Sequence, residues 1–221
     1  MIKENSLKLI DESYIQNTLI DSKLLDFVER NNLWKYIGKI KIKKICATCF
    51  FIKLIKVIGE TNIEAMITNC HVIDVNSFND NSITIEINEI EKKIDLKKKR
   101  FKYSNKQLDF TNIQILNSDY IFYFCPIDSS ILLSNCIQMV NKKIYILQYP
   151  LGKKSIAHGN IEKYKKGYFY HNCSTISGSS GSPIFLYQSR YIVALHKGGY
   201  SSKKKGMKNK KKMKINKKSN I

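Results

Sequence analysis

Four serines crowd the six residues Ser177–Ser182, interleaved with Gly178 and Gly181. A serine hydroxyl is a weak nucleophile. It becomes a strong one when a base takes its proton, a carboxylate orients that base, and backbone N–H groups receive the charge that develops on the attacked oxygen. Composition alone reads STISGSSGSPIF as an ordinary Ser/Gly loop. Ser180, however, lies between Gly178 and Gly181, where missing side chains let the backbone turn sharply and approach a substrate. The apolar run SPIFL that follows is a strand, which is not the context of a linker.

Chain order narrows the partners. His71 ends an apolar run in MITNCHVID and Asp109 begins another in QLDFTNIQIL, whereas no Asp or Glu follows Glu162. An α/β-hydrolase places its carboxylate and histidine after the serine, within GxSxG, and both conditions fail here. The order His, Asp, Ser remains. Asp74 stands too close in sequence to His71 to be the orienting carboxylate, and Asp95 sits among lysines in KKIDLKKKR as a solvated charge would. Ser177, Ser179 and Ser182 lack the flanking glycines of Ser180.

These motifs together resemble the chymotrypsin-fold serine peptidases over about residues 45–200. ATCFFI resembles the strand before the histidine, usually written GTGF; ITNCHV resembles TAAHC; LDFTNIQI resembles the Asp-led strand; and SGSSGSPIF resembles GDSGGP. The resemblance implies an all-β fold of two six-stranded antiparallel barrels with the site between them. It makes His71 the general base, Asp109 its orienting carboxylate, Ser180 the nucleophile, and the N–H groups of Gly178 and Ser180 the oxyanion hole. Where secreted trypsins keep an Asp that pairs with a new N-terminal amine, this chain has Ser179, so no trypsin-type zymogen cleavage is expected. Cys70 precedes His71 instead of following it, so the family's disulfide beside the histidine is not reproduced.

The same resemblance assigns the substrate pocket to Ser174, Thr175 and the strand YIVALHKGGY, with His196, Gly198 and Gly199. No acid lies at its base, which removes a preference for Lys or Arg. Thr175 and His196 stand where glutamyl endopeptidases and viral cysteine peptidases of this fold place a hydroxyl and a histidine, both able to donate to a Glu or Gln side chain. Cleavage after Glu, then Gln, is the expectation. His158 and His171 have no assigned role, although His171 ends a strand near the pocket and could support His196.

The elements that must position these groups are mostly strands. Residues 1–38 read as a helical extension, with Ile20, Leu24, Phe27 and Val28 on one face. From Lys39 the chain turns to short β-branched and aromatic runs separated by turn residues, the pattern of a barrel or sandwich. A first barrel is expected over residues 39–118, a second over 119–200, and a Lys-rich tail over 201–221, where either KMKIN supplies a poor last strand or the second barrel is left incomplete.

The chain carries a formal net charge of +20 over 221 residues, with 35 Lys against three Arg. Ten of those lysines lie in the tail and could contact nucleic acid or an anionic surface weakly, but the Arg forks that read bases and phosphates are nearly missing. A competing reading is therefore a catalytically silent module of this fold with a nucleic-acid-binding tail. Protein or peptide substrates are the expected partners, with no cofactor. The six cysteines are expected mostly as free thiols. Cys46, Cys49 and Cys70 with His71 could be drawn as a zinc site, but residues three apart on a strand face opposite sides, so no metal is expected. With no apolar run long enough to cross a bilayer and no secretory signal, an intracellular location, cytoplasmic or nuclear, is expected.

Overall fold

The structure, a computed structural model, describes residues 21–42, 45–54, 62–127, 136–199 and 211–214. It opens on helix α1, Ser22–Arg30, whose N-cap Asp21 accepts the Lys23 N–H at 3.0 Å. Leu24 and Val28 are fully buried and Phe27 half-buried on one face, while Ile20 lies outside the described residues. Asn32 takes a left-handed φ of 46° and breaks the helical path, so only the 3-10 turn Leu33–Tyr36 follows before strand begins at Ile37.

Seven antiparallel strands form the first curled sheet: β1 Ile37–Ile42, β2 Ile45–Leu54, β3 Ile63–Thr68, β4 Ser82–Ile87, β5 Ile90–Asp95, β6 Lys102–Asn105 and β7 Phe110–Gln114. Their order is β5-β4-β1-β2-β3-β7-β6. Six more close a barrel in the order β10-β13-β12-β11-β8-β9: β8 Lys143–Gln148, β9 Ser155–Lys165, β10 Tyr168–His171, β11 Pro183–Leu186, β12 Ile192–Gly199 and β13 Lys211–Lys214. Two curled antiparallel sheets with few helices are the mostly β double-barrel class expected. The first sheet departs from six strands because Asn88 and Glu89, both at left-handed φ (46° and 68°), turn β4 back into β5 as a tight hairpin. Among the described residues β5 then pairs with β4 alone, and β5 and β6 form the two edges of the sheet.

The closing strand of the second barrel comes from the lysine tail. Met213 pairs with Phe169 of β10 on one side and with His196 of β12 on the other, so KKMK completes the barrel by backbone pairing.

Alternation along the strands divides the apolar side chains among three cores. In β8, Ile144 and Ile146 enter the second barrel with Ala157, Phe169 and Ile184, while Tyr145 and Leu147 face the first barrel. In β2, Cys49 and Phe51 enter the first barrel, while Phe50 and Ile52 meet Tyr145, Leu147 and Phe185 in the shared core. Helix α1 packs on that shared core through Leu24 and Val28, and the Tyr187 hydroxyl donates to Asp21 at its start. Leu24→Ala is therefore expected to cost about 2–5 kcal/mol in urea unfolding, the cost of a buried leucine cavity. A change below about 0.5 kcal/mol, the usual range of a surface substitution, would place the helix outside the cooperative fold.

All six cysteines are free thiols. Complete burial drives the Cys49 thiol pKa strongly upward, so it stays protonated, and Cys46 on the other face of β2 is only half-buried.

Candidate active site

β3 ends at Thr68, and the turn that follows, closed by Val72 and Ile73 N–H bonds to the Asn69 carbonyl, brings out His71 with its side chain 48% exposed. Asp109 stands just before β7 at a left-handed φ of 53° and is buried. Its backbone carbonyl accepts from Asn69 Nδ2 at 3.0 Å, and its Oδ1 accepts the His71 N–H at 3.0 Å. The two side chains meet through His71 Nδ1, at 2.9 Å from Oδ2 and 3.0 Å from Oδ1.

An ionised carboxylate only accepts, so Nδ1 must carry the imidazole proton and Nε2 presents its lone pair outward. Burial alone would raise the Asp109 pKa, but hydrogen bonds from the His71 ring and backbone, with the charge of Lys197 beyond, hold it below the ordinary value of 3.8. The other acids are engaged elsewhere. Asp74 accepts from the Ser77 N–H and hydroxyl at 2.9 and 2.8 Å, and Asp95 accepts the Lys97 N–H.

Hydrogen bonding also separates the four serines. Ser179 and Ser182 are fully buried: Ser179 Oγ accepts the Ile176 N–H at 3.1 Å, and Ser182 Oγ donates to the Ser179 carbonyl at 2.7 Å. Ser177 is exposed, and its carbonyl accepts the Leu151 N–H at 2.8 Å. Ser180 is half-buried, and among the described residues its Oγ has no hydrogen-bond partner. Nor do the backbone N–H groups of Gly178 and Ser180 have an acceptor there, although Gly178 is buried. A buried amide left unpaired calls for an explanation.

Both glycines of the loop are required sterically. At Gly178, with φ +97°, a Cβ would strike the Tyr149 carbonyl; at Gly181, with φ +84°, it would strike the Thr48 carbonyl and Thr68 hydroxyl. Thr48 on β2 ties the loop to the barrel that carries His71, its N–H donating to the Ser180 carbonyl at 2.9 Å. β12 ties it from the other side, through Gly181 N–H to the His196 carbonyl at 3.0 Å and His196 N–H to the Ser182 carbonyl at 2.8 Å.

Toward the expected pocket, Thr175 and His196 are both buried, and no hydrogen bond joins the Thr175 side chain to His196 among the described residues. Instead, His196 pairs with His171: His171 Nε2 lies 3.2 Å from His196 Nδ1, with the rings edge to face. The Cys173 N–H donates to His171 Nδ1 at 3.2 Å, so that nitrogen is the acceptor and the His171 proton sits on Nε2. His171 therefore donates to His196 Nδ1, and His196 carries its own proton on Nε2. Two residues on, at Gly198 with φ +145°, an added Cβ would meet nothing within 4 Å among the described residues, and the backbone of Gly199 pairs with Lys211. The sequence reading left His171 without a role; its signal was position, at the end of a strand two residues before Cys173. Thr48 and Lys197 escaped it entirely.

A family profile described as a trypsin-like peptidase domain matches residues 47–195. No curated protein matches the sequence. Among solved structures, the inactive form of the Rv3671c protease of M. tuberculosis is similar at a TM-score of 0.61 and 12% identity, over 86% of this chain and 87% of that one. A Glu endopeptidase is similar at a TM-score of 0.57 and 18% identity, over 83% and 86% of the two chains. A serine protease of a human pathogenic astrovirus follows at 0.54 and 12%, over 82% and 90%. At these identities the solved structures speak to the fold, while the profile takes in His71, Asp109 and Ser180 on one continuous stretch: the chain belongs to the trypsin-like peptidase domain family and is a serine endopeptidase.

Proposed function

We propose that the protein hydrolyses peptide bonds after Glu, and secondarily after Gln, with Ser180 as nucleophile, His71 as general base and Asp109 as its orienting carboxylate. What carries the reading is the pair of N–H groups at Gly178 and Ser180 that have no acceptor among the described residues, beside the half-buried Ser180, whose hydroxyl has no partner there either, whereas Ser179 and Ser182 engage theirs inside the loop. His71 Nε2 takes the Ser180 proton as Oγ bonds to the scissile carbonyl carbon, and the carbonyl oxygen becomes an oxyanion held by those two N–H groups. His71 then passes the proton to the departing amine. Water, deprotonated by His71, releases the acid product and restores Ser180.

Ser179 supports activity without a zymogen-type ion pair, because its uncharged hydroxyl closes the loop on Ile176 where an Asp would need a partner. The intact purified chain, its mass unchanged by processing, is expected to take up one equivalent of a fluorophosphonate probe. Failure to label would remove the catalytic reading.

For the pocket, the His171–His196 pair matters more than either ring alone. With both tautomers set from the Cys173 N–H onward, His196 Nε2–H is a neutral donor suited to the carboxylate of Glu or the amide oxygen of Gln. A peptide library should show cleavage after Glu above all. His196→Ala should lower kcat/KM on Glu substrates about 10- to 100-fold, the range of one charge-assisted hydrogen bond. Robust cleavage after Lys or Arg with none after Glu or Gln would overturn this specificity and leave the nucleophile assignment intact.

A further inference from the structure

We propose that Thr48 is the positioning residue of the oxyanion loop, a single buried hydroxyl that orients the Gly178 N–H from the opposite barrel. This rests on the peptidase reading above. Thr48 is fully buried on β2 and uses every polar group it has toward the loop or its supports. Its Oγ1 donates to the Gly178 carbonyl at 2.8 Å and accepts the Tyr149 N–H at 3.0 Å. Its N–H donates to the Ser180 carbonyl at 2.9 Å, and its own carbonyl accepts from the Thr68 hydroxyl at 2.9 Å.

These bonds bear on the one peptide unit whose direction decides whether an oxyanion can be received. In a trans peptide the N–H of Gly178 points opposite to the Ser177 carbonyl. The Leu151 N–H holds that carbonyl, so the Gly178 N–H is turned away from Leu151. Leu151 reaches this position at a left-handed φ of 50°, which a leucine rarely takes, and the residue is 49% exposed, so burial does not account for the conformation. Holding Ser177 does account for it. Two residues earlier, Thr48 Oγ1 anchors the same segment at Tyr149, while its proton fixes the Gly178 carbonyl on the other side of the glycine. The hydroxyl thus restrains both flanks of the Gly178 N–H, and Gly178, with no Cβ to resist rotation, needs that restraint more than any other residue would.

Thr48→Val keeps the shape and removes the hydroxyl, and Thr48→Ser keeps the hydroxyl. Thr48→Val is expected to lower kcat about 10- to 100-fold with KM within about 2-fold of wild type, since a misplacement near 1 Å costs about that much. Rates are referred to the sites titrated by fluorophosphonate, so unfolded molecules do not count. Inhibition by a peptide aldehyde, whose adduct places an oxyanion in the same position, should weaken by the same factor. Thr48→Ser should restore both. Unchanged kcat in Thr48→Val, or a loss that Thr48→Ser does not recover, would overturn the proposal. Amide hydrogen exchange over residues 149–152 and 174–182 gives a readout independent of catalysis. Faster exchange in Thr48→Val, reversed in Thr48→Ser, is expected even if the wild-type chain hydrolyses nothing, which would sink the peptidase reading alone. Exchange equal to wild type would sink the Thr48 role alone.

Discussion

Ser180→Ala is expected to abolish fluorophosphonate labelling and to lower kcat by about 10⁶, the scale on which a hydrolase loses its nucleophile. KM should change little, because the hydroxyl acts on the carbonyl only as the bond forms. The three neighbouring serines make this a sharp test. Ser179 and Ser182 engage their hydroxyls inside the loop, with the Ile176 N–H and the Ser179 carbonyl. Removing either should loosen the loop and lower the rate, yet leave covalent labelling in place. Ser177 is exposed and contributes its carbonyl, not its hydroxyl, to the bond with Leu151. If Ser180→Ala still labels while one of the others does not, the nucleophile is misassigned. If none labels and all hydrolyse alike, the activity belongs to a contaminant.

The groups that do chemistry were legible because their types, order and flanking residues are local. His71, Asp109 and Ser180 each sit in a short motif, and no acid beyond Glu162 was available for any other order. What positions them was much less legible. Thr48 reads as one more β-strand residue in ATCFF, since its hydroxyl acquires meaning only through Tyr149 and Gly178, 101 and 130 positions away. The closing strand was legible only faintly, as the poor last strand KMKIN, and for a different reason. KKMK has the composition of a solvated tail, and what recruits it is the pair of open edges on β10 and β12, a property of the unfinished barrel and not of the lysines. The helix was visible from its apolar face, but its end was not, because Asn32 stops it by adopting a left-handed φ that Asn tolerates and does not announce. The His171–His196 pair lies between these cases: both histidines were visible, while their contact depends on the curl that brings β10 and β12 to either side of β13.

Asp109→Asn should be the second largest loss, about 10⁴ in kcat, and it separates orientation from mere contact. The carboxylate accepts two donors from His71, the backbone N–H on Oδ1 and the ring Nδ1 on both oxygens. An amide has one oxygen and one NH₂. With its oxygen taken by the fixed His71 N–H, the NH₂ faces Nδ1, which must then accept, and the imidazole proton moves to Nε2. The base is then protonated on the side that should receive the serine proton, although the side chain still fits. Labelling by fluorophosphonate should slow in parallel with kcat, whereas KM should hold. The same substitution has a stability signature with a definite sign. Because the folded-state pKa of Asp109 is depressed, its carboxylate stabilises the fold above the ordinary value of 3.8 and loses that contribution as pH falls through the lower folded value. Urea midpoints of wild type and Asp109→Asn should therefore differ most above the ordinary carboxylate range and converge as the solution is acidified below it. A gap that widens on acidification would contradict the depressed pKa, and a variant within about 10-fold of wild-type kcat, far from the loss expected of a wrong tautomer, would remove Asp109 from its role.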